Sequence, residues 1–445
     1  MNDILNYDVL IVGAGVSGLN CALHLPASYR VLVIAKGGLR ESDSFLAQGG
    51  MCVLKDKRDY KSYFEDTMRA GHYENNPDTV RCMIEHSRDT AEELLSLGVR
   101  FEKNGRGELL YTREGAHSSP RILFHADCTG KEITSKLLAA VKKRGNIEVV
   151  PYVAMLDLIP SQDGSCILGA VCRRVKTGEL FLVRAGKTVL ATGGVGGLFR
   201  HSTNFRILTG DGLAVSFRHG VTVDHADYVQ IHPTTLYSKR RGRRFLISES
   251  VRGEGAQLIN AEGRRFVDEL LPRDAVTAAI THQMRLENSK FVRLDLRTVE
   301  GGANTLNRHF PSIVKRCREE GYDVFNEPIP VVPAQHYFMG GIRSDLYGRT
   351  NKKNLYAVGE TCCNGVHGKN RLASNSLLES LVFSKRAAED IGKRSDVLNA
   401  ALPQEFYKVN LETYRSSRKL AEEDKKRVLK EINREGKFDD PYAAF

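Results

Sequence analysis

Residues 7–25 read YDVLIVGAGVSGLNCALHL: an apolar run, a glycine turn and a helical pattern follow one another without a gap. Tyr7–Val12 has the length and composition of a buried strand, Gly13–Gly18 of a turn, and Leu19–Leu25 of a helix. A second apolar run, Arg30–Ala35, completes a β-α-β opening. Gly13, Gly15 and Gly18 form GxGxxG between strand and helix, the context in which this spacing carries meaning. Gly13 permits the tight turn, Gly15 lets the backbone approach a pyrophosphate, and Gly18 lets helix and strand pack closely. The whole turn, Gly13, Ala14, Gly15, Val16, Ser17 and Gly18, is therefore a candidate nucleotide cradle.

Working outward, the acid expected about 20 residues on to hold a ribose is missing, and Lys36 ends the second strand instead. Lysine can still donate to a ribose or adenine acceptor, but a simple NAD assignment is weakened. Two further strand ends point elsewhere. Lys187–Ala191 runs into Thr192, Gly193 and Gly194, and Leu355–Val358 runs into Gly359 and Glu360. Such ends suit a flavin-binding sheet, with Glu360 offered to ribityl or ribose hydroxyls, so FAD is the expected cofactor. Amphipathic helices are expected at Pro77–Leu97 and Lys131–Lys143, and an antiparallel insertion between Ile147 and Val183. Thr222–Glu327 has its own mixed, Arg-rich pattern, and after Arg394 the chain turns charged and helical before an acidic-aromatic tail. The expected architecture is α/β. A Rossmann-like FAD-binding domain spans 1–221 and 329–394, an inserted α+β capping domain spans 222–328, and a short helical segment fills 395–445.

The 445 residues are 41% hydrophobic, ordinary for a globular protein of two or three domains. No apolar run approaches the roughly 20 residues that span a bilayer, and the N-terminus lacks a basic leader. A cytoplasmic location without a membrane partner is expected. The nine cysteines form no CxxC pair, which disfavours a disulfide framework, a zinc site or a cluster. The net charge of +11 admits nucleic acid or acidic small molecules as partners. The densest basic run, Lys239–Arg244 (KRRGRR), is short and carries no interleaved aromatic, so it reads as a solvated loop rather than a nucleic-acid site.

The stretch His367–Glu379, HGKNRLASNSLLE, places Arg371 just before a small-polar turn that opens a helix. Helix starts hold unpaired N–H groups and a positive dipole end that suit an electron-rich ligand oxygen. Arg371 offers a planar fork for a carboxylate. The Ser376 and Leu377 amides would face the flavin ring, beside an anionic substrate.

These residues resemble the family of FAD-dependent dicarboxylate oxidoreductases that includes succinate dehydrogenase, fumarate reductase and L-aspartate oxidase. The resemblance runs from Tyr7 to about Asp390. It is carried by SFLAQGG (Ser44–Gly50), TREGAHS (Thr112–Ser118), TGDG (Thr209–Gly212), QIHPT (Gln230–Thr234), SESVRGEG (Ser248–Gly255), LPRD (Leu271–Asp274), PAQHYFMGG (Pro333–Gly341) and RLASNSLLE (Arg371–Glu379). It implies that Asp43, Ser44, Phe45, Gln48, Gly49, Gly50 and Asp211 join Lys36 and Glu360 around FAD. Asp43 stands where the membrane-complex members carry a flavin-linking histidine, so a non-covalent FAD is implied. By the same resemblance His232, Ser248, His336 and Arg371 hold the dicarboxylate, Ser248 replacing a more usual threonine. Arg273 is the acid-base residue, with Glu249 and Arg252 as its relay. Their i and i+3 spacing shares a face if the segment is helical.

Glu114 stands where the dehydrogenases have an uncharged residue, as in the L-aspartate oxidase branch. An anion there would meet an ammonium group, which aspartate has and succinate lacks. The implied reaction is oxidation of L-aspartate to iminosuccinate, with oxygen (giving hydrogen peroxide) or fumarate as acceptor. This is the first step of NAD biosynthesis, coupled to quinolinate synthase. A soluble fumarate reductase using the same pocket is the nearest alternative. A catalytically idle flavin- or nucleic-acid-binding protein is the alternative from another class. Family members commonly continue into a C-terminal helical bundle, for which only about 50 residues remain here.

Overall fold

A computed structural model describes residues 4–240, 242–394 and 402–434. Its principal sheet is built on the opening β-α-β unit. Ile4–Val12 lies parallel between Val31–Ala35 and Leu180–Leu190, and Ile147–Pro151 extends the sheet beyond Val31–Ala35. Leu355–Ala357 pairs in parallel with the last residues of Leu180–Leu190. Every residue of Val31–Ala35 is buried, as a strand covered on both faces requires, which explains its unbroken apolar sequence.

Val153–Pro160 and Ile167–Arg174 form an antiparallel arm on the first half of Leu180–Leu190. The strand expected at Lys187–Ala191 is thus the end of an 11-residue strand that begins inside the insertion. One continuous ladder serves both layers, which an apolar pattern interrupted by Arg184, Gly186 and Lys187 did not reveal.

A second sheet runs Val229–Leu236, Ile329–Phe338, Val292–Asp295, Gln257–Ile259, antiparallel throughout. Its core, including Leu258, Val276, Ile280, Leu294 and Val331, is separate from the two that flank the principal sheet. Because Ile329–Phe338 pairs here, this unit extends past the boundary expected at 328. Composition cannot assign a strand to a sheet; the ladder does.

The helix expected at Pro77–Leu97 is two, Pro77–Glu85 and Ser87–Ser96, divided at His86. The Ser87 hydroxyl donates to the Ile84 carbonyl and accepts from the Leu54 amide, a side-chain competition that interrupts a helical ladder. The helix expected at Lys131–Lys143 spans Thr129–Lys142.

After Arg394 the described chain forms helices Gln404–Lys408 and Ser417–Ile432. Phe406 packs on Ile159, Val171 and Leu182, while Val428 and Ile432 join a core of the principal sheet. The acidic-aromatic tail lies outside the described residues. Among the described residues all nine cysteines are free, no cluster could hold a metal, and no helix is long and apolar enough to cross a membrane.

Candidate active site

A cavity runs from the glycine turn, between the two sheets, to the start of helix Asn375–Lys393. Its lining joins the glycine turn at one end to Arg273, Arg371, His232 and His336 at the other, an arrangement that suits a dinucleotide with a small acid at one end. Of the residues expected from sequence, all line this space except Gly18, Phe45 and Arg252.

The nucleotide end is made by close backbone approach. Gly13 has φ +122°, and a Cβ there would sit 2.0 Å from the Ala191 carbonyl oxygen. A Cβ on Gly18 would sit 1.9 Å from the Gly13 carbonyl oxygen, so Gly18 serves the packing of helix on strand and not the wall. Helix Val16–His24 starts without a side-chain cap on Gly15, although the Val16 amide donates to Ser44 Oγ at 3.1 Å.

Lys36 Nζ donates to Thr209 Oγ1 and to the Asp211 carboxylate, each at 2.8 Å. Two expected cofactor residues thereby hold each other on the wall. Phe45 is corrected: its amide is used by the Ser42 carbonyl in the turn, and its side chain is not on the wall.

Several polar atoms here are buried without a partner: Ser42 Oγ, Asp43 Oδ2, Gln48 Oε1 and Asn204 Oδ1. All four residues line the cavity. Unpaired buried polar atoms call for an explanation, and a polar cofactor supplies one. Asp43 Oδ1 accepts from the Phe205 amide at 3.0 Å, and burial pushes its carboxyl up to about 7 against the pull of Arg243. Glu360 accepts from the Phe338 amide at 3.0 Å, and burial with Asp43 nearby raises it well above the usual carboxyl range. The KRRGRR run is thus not wholly solvated, because Arg243 turns into the cavity wall. The glycine cradle and this set of unpaired atoms fit FAD.

At the other end, charged side chains converge from four segments. Arg273 opens helix Arg273–Leu286, donating from Nε to Glu249 at 2.6 Å and from an Nη to Gln230 Oε1 at 2.8 Å. Glu249 opens helix Glu249–Gly253, so Arg252 falls one turn on, 3.6 Å from the Glu249 carboxylate. Burial opposes ionisation of Glu249, yet Arg273 and Arg252 hold its carboxyl below the usual range. Arg252 lies behind Glu249, away from the wall, donating to the Glu269 carbonyl.

Arg371 donates to Ser376 Oγ at 2.6 Å and to Gln230 Oε1 at 3.3 Å, and its guanidinium lies 4.4 Å from the Tyr337 ring centroid. Burial and the Arg273 charge lower it to about 10.

His232 and His336 meet edge to face at 5.1 Å. Burial and the Arg273 charge push both far below the usual imidazole range, so both are neutral. His336 Nδ1 contacts Thr203 Oγ1 at 2.8 Å, whereas His232 Nε2 is buried without a partner on the cavity side. Ser248 caps helix Glu249–Gly253 by accepting from the Ser250 amide.

Glu114 is 2% exposed, and burial together with Glu249 raises its carboxyl above the usual range. Its loop is pinned from behind by Arg121, fully buried, which pairs with Asp59 and Asp66 and donates to His117 Nδ1 at 2.9 Å. The helix Asn375–Lys393 begins at Ser374, which has φ +63° and does not cap it. The Ser374 hydroxyl instead donates to Glu114 at 2.6 Å, leaving the first turn uncapped.

Sequence reasoning missed Gln230, Thr203, Tyr337, Ser250 and Ser374. Four of these, all but Thr203, sit inside the quoted motifs, but only the fold shows which of them touch the wall residues.

The chain matches the family described as FAD binding domain over residues 8–377. It is 48% identical over 398 residues to an L-aspartate oxidase of Clostridium perfringens, covering 89% of each chain. It is 48% identical over 385 residues to an L-aspartate oxidase of Clostridium acetobutylicum, covering 86% of this chain and 87% of that one. Among solved structures, a quinol-fumarate reductase with menaquinol molecules superposes with a TM-score of 0.85 at 31% identity, covering 94% of this chain and 75% of that one. A chain of E. coli quinol fumarate reductase superposes with a TM-score of 0.84 at 28% identity, covering 97% and 83%.

Proposed function

The chain belongs to the FAD binding domain family and groups there with the L-aspartate oxidases, and from this we propose that it oxidises L-aspartate to iminosuccinate. The reaction is the first step of de novo NAD biosynthesis. The observation that carries this reading is Glu114, a carboxylate buried in the same cavity as Arg273, Arg371, His232 and His336. A dicarboxylate needs the cations; only an amino dicarboxylate gives the anion a partner.

FAD, which would be held without a covalent bond beside Asp43, would supply the two-electron acceptor chemistry, with oxygen (giving hydrogen peroxide) or fumarate as the final acceptor. The uncapped amides of Ser376 and Leu377 would stabilise negative charge on the ring they face.

Arg371, His232, His336 and Ser248 grip the two carboxylates, each charge-assisted bond contributing about 1.5–3 kcal/mol. The neutral histidines serve as donors in the right tautomer, and His232 Nε2 has no competing partner. Glu114 orients the ammonium group, which fixes Cα relative to the ring. Arg273, already a cation, takes the proton released on oxidation as it hands its own Nε proton to Glu249. Glu249, 2.6 Å from its Nε, and then Arg252 carry that proton away from the cavity. The second sheet's unit lines the site through His232, Ser248, Glu249, Arg273 and His336. Because an imine hydrolyses readily, we also place the reaction in the cytoplasm beside a quinolinate synthase that consumes it.

The test is anaerobic flavin bleaching. L-aspartate should bleach the flavin and succinate should do so far less. Bleaching by succinate alone would replace this reading with that of a soluble fumarate reductase.

A further inference from the structure

Glu114 is held by hydroxyls that the steps above leave unused. Ser250 Oγ donates to Glu114 Oε1 and Ser374 Oγ to Oε2, each at 2.6 Å. Ser250 is itself backed by Ser248 Oγ, which donates to it at 3.1 Å. Ser374 Oγ also accepts from the Gly50 amide at 3.2 Å. Ser250 is 6% exposed and lies off the cavity wall, so it touches substrate only through Glu114.

We propose that Ser250 is a specificity-positioning residue that, with Ser374 on the opposite oxygen, holds Glu114 as an oriented anion for the substrate ammonium. The proposal rests on the reading of Glu114 given above. It assigns the hydroxyl row Ser248–Ser250–Glu114 a function: each serine has one hydroxyl proton, Ser248 donating its own to Ser250 and Ser250 its own to Glu114, so the row ends on the carboxylate it holds.

The physical need is plain from what surrounds Glu114. Glu249 and Arg252 face it from the helix that bears Ser250, Arg273 from the start of the next helix, Arg371 from the loop before Asn375, and the Cys52 thiol from strand Gly50–Cys52. Burial and Glu249 favour the neutral acid, which could not pair with an ammonium group. The two serines, followed by Arg273, oppose this. A hydroxyl donated to the anion lowers its pKa, so removing the hydroxyl raises it and narrows the pH range in which the anion exists.

The experiment uses the FAD-loaded enzyme and the variants S250A and S250T. The acid limb of kcat/KM for L-aspartate should move up by about one pH unit in S250A, a shift of the size expected for one lost hydrogen bond. S250T, which keeps the hydroxyl, should restore it, and the acid limb for succinate should stay with the wild type. Infrared difference spectra of the oxidised enzyme without substrate should show the protonated Glu114 carboxyl stretch, identified by its loss in E114Q, persisting to higher pH in S250A. An unmoved aspartate limb, or equal shifts for both substrates, overturns the proposal. The infrared measurement reads the Ser250–Glu114 coupling whether or not L-aspartate is the substrate. A normal infrared shift with no oxidation of L-aspartate would therefore sink the functional reading and leave the coupling standing.

Discussion

The two ends of the cavity are made of different materials. The nucleotide end is backbone, shaped by glycines that permit contacts such as 2.0 Å from an ideal Cβ on Gly13 to the Ala191 carbonyl oxygen. The substrate end is buried charge: Arg273, Arg371, Glu249 and Glu114, each at most 6% exposed. The difference teaches where each end is vulnerable. A backbone cradle fails by steric intrusion and loses its ligand. A charged constellation fails when one member is removed, because the others remain buried without their partner.

The largest effect tests that division directly. Arg273→Leu should lower kcat by about 10²–10⁴-fold, the usual worth of a positioned acid-base group, while flavin absorbance shows FAD still bound. Loss of FAD from this variant would mean that the two ends are not separable. Gly13→Ala should act in the opposite sense, weakening FAD affinity by about 10²-fold through strain of ~1–3 kcal/mol. Fluorescence titration of the apoprotein measures it, and unchanged affinity would show that the cradle tolerates a methyl group. Glu114→Gln should lower the preference for L-aspartate over succinate by about 10-fold, the worth of one charge-assisted bond. An unchanged ratio of kcat/KM values would remove the basis for choosing between the two substrates.

The smallest effect lies beneath the nucleotide end, where Glu93 ties helix Val16–His24 to helix Asn375–Lys393 through His24 and Lys385. The hydrogen bond to His24, more than any other contact, holds its carboxyl down at about 2. A depressed carboxyl stabilises the fold above its unfolded value near 4.5 and loses that contribution as pH falls toward 2. Because Glu93 is about a third exposed, of order 1 kcal/mol is expected. The Tm difference between wild type and Glu93→Gln should shrink as the pH is lowered from 7, and a gap independent of pH would contradict the assignment.

The same contrast explains what was legible in the sequence. The cradle could be read because its requirements are local: a strand, three glycines and a helix within 20 residues, with Gly13 and Gly18 forced by close backbone contacts to the adjacent strand or to a near neighbour. The charged end could be named only through motifs scattered from Thr112 to Glu379. Residue types and spacing did not show that Arg273 and Arg371 share Gln230 Oε1, or that Arg252 stands behind Glu249. The sheet to which Ile329–Phe338 belongs is hidden for a related reason, since its apolar pattern fits either sheet and only the ladder decides. The break at His86 was missed because a serine's choice between solvent and its own backbone depends on what packs beside it.

By itself, then, the sequence determined the β-α-β unit, the cofactor class and the set of side chains available for chemistry, because each follows from local sterics or residue type. Tertiary structure alone decided which of those side chains meet, which hydroxyls turn toward Glu114, and that Ser374 leaves its own helix uncapped. Burial, long-range pairing and the strength of charges in a dry cavity depend on neighbours hundreds of residues away in the chain.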